Sequence, residues 1–223
     1  MSKQINDILT SMRKRGKMQD MSAKGDLGED AVLYLCYERK QQLGNGLLYQ
    51  SFKYPYQTNR SGTCYTGNIK YQNNEFIEVT REGLNDEIDV LYATPYRVFP
   101  IEVKSYGNTR LDIYDHWFNH GSQPVDKSPI TQAEKHARHL YHAIYDILPD
   151  GNPDYIVPIV CFVDKCLIRD DRSEYFQNYI PVCTLNKFKA TLERYNKPLE
   201  YNIDLNGLER KLNSIQVSIR RTL

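Results

Sequence analysis

Two apolar runs joined by a three-residue link constrain this chain more than any other feature: EIDVLYA at 87–93 and RVFPIEVKS at 97–105, with TPY between them. Both runs are rich in β-branched and aromatic residues, and so short a link makes them an antiparallel hairpin inside a sheet. An interior strand should be apolar, yet the first run carries Asp89 and the second carries Glu102 and Lys104. Because successive side chains in a strand point to opposite faces, Ile101 and Val103 share one face while Glu102 and Lys104 share the other. By the same alternation Asp89 points away from Ile88 and Val90. Pro100 marks the start of the second strand or a bend near it.

If the hairpin register sets Asp89 beside Glu102, two carboxylates and an ammonium converge. Like charges a few ångströms apart raise each other's pKa and resist joint ionisation, and a divalent cation relieves that conflict. Mg²⁺ suits the place because it takes oxygen ligands and keeps several waters. Lys104 can orient an attacking water and offset charge developing on a phosphate, so the three residues suit phosphodiester hydrolysis. The spacing alone leaves a plainer reading open, in which Asp89 ends a strand and Glu102 and Lys104 form a solvated face. Asp86 and Glu87 stand in reserve as ligands, and Glu87 is the better of the two because it shares the face of Asp89.

The chain's 223 residues suffice for one sizeable domain with a substantial core. Residues 1–24 form a basic arm or helix with RKRGK at 13–17. From Gly25, the segment GDLGEDAVLYLCYERKQQ reads as an amphipathic helix closed by GNG, and 47–80 as short strands with an irregular loop. A second helix starts at SPITQ, with Ser128 as its cap, Pro129 in its first turn, and Ala133, Ala137, Leu140, Ile144 and Leu148 as its apolar stripe. YIVPIVCFVD reads as a buried strand, CLIRD as its continuation, and TLNKFKATLERY as a helix. This order predicts an α/β (α+β) layered fold around one mixed sheet, with the domain at 25–195 and a C-terminal extension at 196–223 packing on it.

Further motifs in series surround the hairpin. GDLGE at 25–29 opens the first helix, twelve residues separate Asp89 from Glu102, Gly107 follows IEVKS, and ITQAEKH at 130–136 sets Gln132 near the start of the second helix. In this order, over roughly residues 25–190, the chain resembles the nuclease-related domain (NERD) family of the PD-(D/E)xK nuclease superfamily, with Ile88 in place of the name-giving proline. The resemblance implies a restriction-endonuclease-like core and metal-dependent hydrolysis of DNA, with Mg²⁺ as cofactor and Mn²⁺ as its substitute. It implies Asp89, Glu102, Glu29 and the backbone carbonyl of Val103 as metal ligands, with Lys104 and Gln132 completing the catalytic set. Read without it, Glu29 is a carboxylate favoured near a helix N-terminus, and Gln132 is an exposed helix residue or an amide donor to a phosphate oxygen or water.

Lys and Arg number 29 against 28 Asp and Glu, so a nucleic-acid surface has to come from local clustering. Arg110, Lys127, Lys135 and Arg138 flank the hairpin in sequence and can track a phosphate backbone, with Tyr106 and Trp117 for base stacking. His116 with His120, and His136 with His139, share helical spacing that suits a second metal site or proton transfer, although packing and surface roles are commoner for histidine. Five scattered cysteines without a Cys-x-x-Cys pair, and no leading apolar segment, predict a reduced cytoplasmic setting. No run approaches the ~18 apolar residues of a membrane span. The expected partner is DNA, with RNA and a second copy of the chain left open. Two other functions fit the same fold: a structure-specific resolvase-type endonuclease, and a catalytically silent nucleic-acid-binding or protein-interaction module.

Overall fold

The computed structural model describes residues 21–55, 64–66, 69–72, 75–78, 85–105, 109–112, 117–119, 123–124, 128–163 and 167–216. Helix α1 (Met21–Leu43) starts ahead of Gly25 and passes through Gly44 and Gly46, at φ 72° and 140°, into β1 (Leu47–Pro55). Glycine adopts such φ values without a Cβ clash, which lets the chain reverse there. Strands β2 (Cys64–Thr66), β3 (Ile69–Gln72) and β4 (Glu75–Glu78) form a small antiparallel sheet of their own. The hairpin follows as β5 (Asn85–Ala93) and β6 (Val98–Lys104), then β7 (Thr109–Leu111), β8 (Trp117–Asn119) and β9 (Gln123–Pro124). Helix α2 (Pro129–Ile144), two short 3-10 turns (Pro149–Gly151 and Pro153–Tyr155), β10 (Ile159–Phe162), β11 (Ile168–Asp170), α3 (Glu174–Tyr179), β12 (Val182–Thr184), α4 (Leu185–Tyr195) and α5 (Leu205–Ile215) follow.

The main sheet has the order β1-β5-β6-β10-β12, antiparallel on the β1-β5-β6 side and parallel from β6 through β10 to β12. It is the expected mixed sheet flanked by helices. Pro100 lies inside β6, opposite Leu91, rather than at its start. The missing N–H is tolerated because the β10 ladder begins only at the Ile101–Ile159 pair, one residue further on. CLIRD does not continue β10: β11 runs parallel to β7 in a second sheet of order β11-β7-β8-β9.

Helices α1 and α4 cover one face of the main sheet, where Leu27, Val32, Cys36, Phe188 and Leu192 pack with Val90, Tyr92, Phe99 and Ile101. Helices α2 and α5 cover the other, where Leu140, Ile144, Leu208 and Leu212 pack with Phe52, Tyr54, Ile88 and Val98. Ser128 caps α2 by accepting from the Thr131 N–H, Pro129 fills its first turn, and Leu148 falls beyond the helix end. In α5 the cap is Asp204, which accepts from the Asn206 N–H. Ile203, Leu208 and Leu212 bring the C-terminal segment into the same core. Among the described residues no helix is long and apolar enough to cross a membrane.

The second glycine of GDLGE has a packing reason. A Cβ on Gly28 would stand 2.8 Å from Val163 Cγ2 and 3.4 Å from Val103 Cγ1, so only glycine lets α1 lie this close to the sheet beside β6. Gly28→Ala should therefore destabilise the fold by about 1–3 kcal/mol despite alanine's higher helix propensity. A urea titration checks this; a midpoint equal to or above that of wild type would show that α1 adjusts freely.

Candidate active site

Strand alternation breaks at Asp89. Ile88 packs with α2 and α5, whereas Val90, two residues on, packs with α1 and α4, although strict alternation gives both the same face. The partner strand breaks at the same level: Gln50 pairs with Val90 and Phe52 with Ile88, while Ser51 between them sits at φ 47°. A non-glycine residue in the left-handed region is a local strain, and such irregularities re-aim side chains at sheet interiors and functional sites. The expectation that Asp89 opposes both of its neighbours is thus corrected.

The break turns the Asp89 carboxylate toward β6. Its Oδ2 accepts a hydrogen bond from the Val103 N–H at 2.7 Å, in the place where a strand carbonyl would otherwise continue the ladder. One step beyond the Val90–Ile101 pair, the register sets Asp89 across from Glu102. The two carboxylates are neighbours, and the charge of Glu102 is felt at Asp89. Burial first, and the charge of Glu102 second, push the Asp89 pKa up to about 6, against the opposing pull of the Val103 N–H, Lys104 and His136.

Glu102 is 1 % exposed and points to the face covered by α2. Lys104 Nζ pairs with its Oε1, as expected for residues on one strand face. Its Oε2 lies 3.3 Å from His136 Nδ1, close enough for charge attraction but off the line of a hydrogen bond. Oε2 is therefore a buried acceptor without a hydrogen-bond donor among the described residues.

His136 reaches a third carboxylate. Its Nε2 lies 3.4 Å from Asp86 Oδ1, while Lys135 Nζ and His139 Nδ1 approach the same carboxyl at 3.2 and 2.8 Å. Burial disfavours the His136 cation, but Asp86 and Glu102 outweigh it and raise its pKa to about 9. Burial likewise opposes the Asp86 anion, yet the histidine bonds, with the charges of His136 and Lys135, hold it well below the usual carboxylate range.

These contacts correct the choice of reserve carboxylate. Glu87 is exposed and pairs with Lys53 at 3.1 Å, while Asp86 is buried against α2. They also give His136 and His139 a shared carboxylate partner, where the spacing suggested a second metal. Among the described residues no three His, Cys, Asp or Glu side chains gather as a metal-holding group. Glu29 accepts from Ser51 Oγ at 3.5 Å, next to the irregularity that faces Asp89. Gln132 lies in the first turn of α2, one turn ahead of His136 and half-buried.

The expected nucleic-acid contacts divide. Arg138 is exposed on α2, and Lys135 is occupied by Asp86. Arg110 pairs with Asp171 at 3.2 Å and lies 6.0 Å from the Phe118 ring centre. Trp117 is 1 % exposed and stacks on Phe162 at 5.0 Å, so it is core rather than a platform for bases. Tyr106, Lys127, His116, His120 and Gly107 lie outside the described residues. Cys36, Cys161 and Cys183 are buried and in no disulfide.

The nuclease-related domain family model matches residues 24–163, from just before GDLGE in α1 to just past β10, and so takes in Glu29, Asp89, Glu102, Lys104, Gln132 and His136. The chain belongs to the nuclease-related domain family. No curated protein and no solved structure gives a match. The family match ends before α4 and α5, so in this nuclease-related chain the helix completing the cover of one sheet face, and the helix beside α2 on the other, both lie beyond it.

Proposed function

We propose that this nuclease-related chain is a metal-dependent nuclease that hydrolyses DNA phosphodiester bonds at Asp89, Glu102 and Lys104. The observation that carries the reading is the forced meeting of Asp89 and Glu102 across β5 and β6, beside Lys104. Two carboxylates held against their own repulsion in a partly dry site are a poor way to stabilise a sheet and a good way to hold a cation.

The donors fit Mg²⁺. Glu102 offers an oxygen without a hydrogen-bond donor, Asp89 has one oxygen beyond its bond to Val103, and the Val103 carbonyl leaves β6 on the same side as its N–H. Mg²⁺ binds through one or two carboxylates and fills the rest with water, so a third protein carboxylate is not required. When bound, the ion would polarise the phosphate and make a water nucleophilic near neutral pH. Asp89 and Glu102 would fix its place. Lys104, held on the same strand face, would orient the attacking water and balance charge developing on the phosphate. Gln132, at the N-terminal end of the α2 face that meets the sheet, would direct its amide to a phosphate oxygen or to that water.

The test is incubation of the purified chain with linear, circular, single-stranded and branched DNA in Mg²⁺, in Mn²⁺ and in EDTA. Cleavage is expected with either metal, and chelation should lower it by at least about a hundredfold. Binding of DNA with no cleavage under any metal would replace the enzyme with a silent nucleic-acid-binding module. Cleavage confined to branched DNA would assign a resolvase-type specificity to the same centre.

A further inference from the structure

We infer that His136 and Asp86 form a positioning pair that sets the Glu102 carboxylate, an inference that rests on the reading of Asp89, Glu102 and Lys104 as a metal-dependent centre. Glu102 is approached at both oxygens, by Lys104 at Oε1 and by His136 Nδ1 at Oε2. The second approach is itself anchored. His136 Nε2 meets Asp86, Asp86 is held by Lys135 and His139, and the Tyr54 hydroxyl donates to the His136 carbonyl at 3.2 Å. The imidazole therefore spans from β6 to the start of β5, with helix and strand both fixed around it.

A structural role alone accounts poorly for this arrangement. Ala133 and Leu140, on the same helix, hold α2 to the sheet with apolar contacts, and replacing a buried ionic cluster by apolar residues of similar volume is often neutral or stabilising. Orienting a ligating carboxylate does call for polar partners fixed behind it. The 3.3 Å contact lies off the hydrogen-bonding line, so the polar Nδ1 edge of His136 confines Oε2 by its position and leaves its acceptor capacity unused.

The two ring nitrogens can be tested apart. The amide nitrogen of Asn lies near the position of Nδ1, and that of Gln lies nearer the position of Nε2. His136→Asn keeps a donor toward Glu102 and gives up Asp86; His136→Gln keeps the link to Asp86 and gives up Glu102. Mn²⁺ binding by the full chain without DNA, followed by electron paramagnetic resonance, gives a readout separate from turnover. His136→Gln should raise the Mn²⁺ Kd by about 10–100-fold, with His136→Asn closer to wild type and Asp86→Asn intermediate. KM for DNA should stay unchanged while kcat at limiting metal falls, because neither residue is placed against the nucleic acid.

If wild type binds Mn²⁺ and His136→Gln binds it within about threefold as well, the positioning pair is overturned while the metal-dependent centre stands. Equal losses of melting temperature in both variants with unchanged Mn²⁺ Kd would likewise reduce the pair to packing. If wild type binds Mn²⁺ but cleaves no DNA, the proposed activity fails and the Kd comparison still decides the pair. If wild type neither binds Mn²⁺ nor cleaves, the centre and the pair fall together.

Discussion

Replacing Lys104 by alanine is expected to lower the rate of Mg²⁺-dependent DNA cleavage by about 10²–10³-fold at saturating metal and substrate, the usual loss when one preorganised charge-stabilising group is removed. Lys104 is 18 % exposed and pairs with a carboxylate that is 1 % exposed, so its ammonium works where water screens little. The same burial complicates the variant. Without Lys104, Glu102 keeps His136, on α2, as its cationic neighbour, and breaking one partner of a buried pair costs about 3–5 kcal/mol. Rates should therefore be compared well below both melting temperatures. Lys104→Arg restores the charge but not its compact geometry, so it should recover stability more fully than turnover. That split separates a chemical role from a structural one. A Lys104→Ala rate within about threefold of wild type would remove Lys104 from the chemistry.

Local sequence physics made much of the fold legible. The link TPY and the alternation of Ile101 and Val103 with Glu102 and Lys104 were enough to expect the hairpin and the two faces of β6. Ser128 and Pro129 marked the start of α2, and the spacing of Leu185, Phe188 and Leu192 marked α4. The helix α5 had a comparable signal, Asp204 before Leu205, Leu208 and Leu212, within a stretch read only as an extension.

What stayed hidden depends on distant partners. Ser51 adopts a positive φ inside a strand because β1 and β5 change phase together, and no local propensity of serine announces that. Trp117, in a polar stretch, reads as a stacking platform until β8 folds it onto Phe162. His136 and His139 show a common helix face in the sequence, but only the packing of α2 on β5 and β6 reveals Asp86 and Glu102 as what that face meets. Regular alternation likewise favoured Glu87 over Asp86, and the phase break reversed that choice.

Asp89→Asn should raise stability and abolish activity together. In the folded chain without metal, burial and the charge of Glu102 lift the Asp89 pKa from 3.8 to about 6, so the native state holds this proton more tightly than the unfolded chain does. Between about pH 4 and pH 6 the native state binds more protons, and stability from this group falls as pH rises through that window. Above it the ionised carboxylate carries the whole penalty, up to about 3 kcal/mol for a shift of this size. An asparagine amide keeps an oxygen to accept the Val103 N–H and never ionises. In EDTA at pH 7.5 the variant should melt higher than wild type, by about 2–4 °C for each kcal/mol relieved in a chain of this size. The gain should vanish near pH 4, where both side chains are neutral. Adding Mg²⁺ should narrow the gap from the other side, because the ion stabilises the wild-type native state by mass action and finds one carboxylate fewer in the variant. Cleavage should drop by at least about 10²-fold, since the loss falls on a metal ligand rather than on a group behind one. A variant that melts below wild type at pH 7.5 in EDTA would show that Asp89 is not strained by Glu102. The expected pairing of higher stability with lost turnover identifies Asp89 as a charge the fold tolerates for its chemistry.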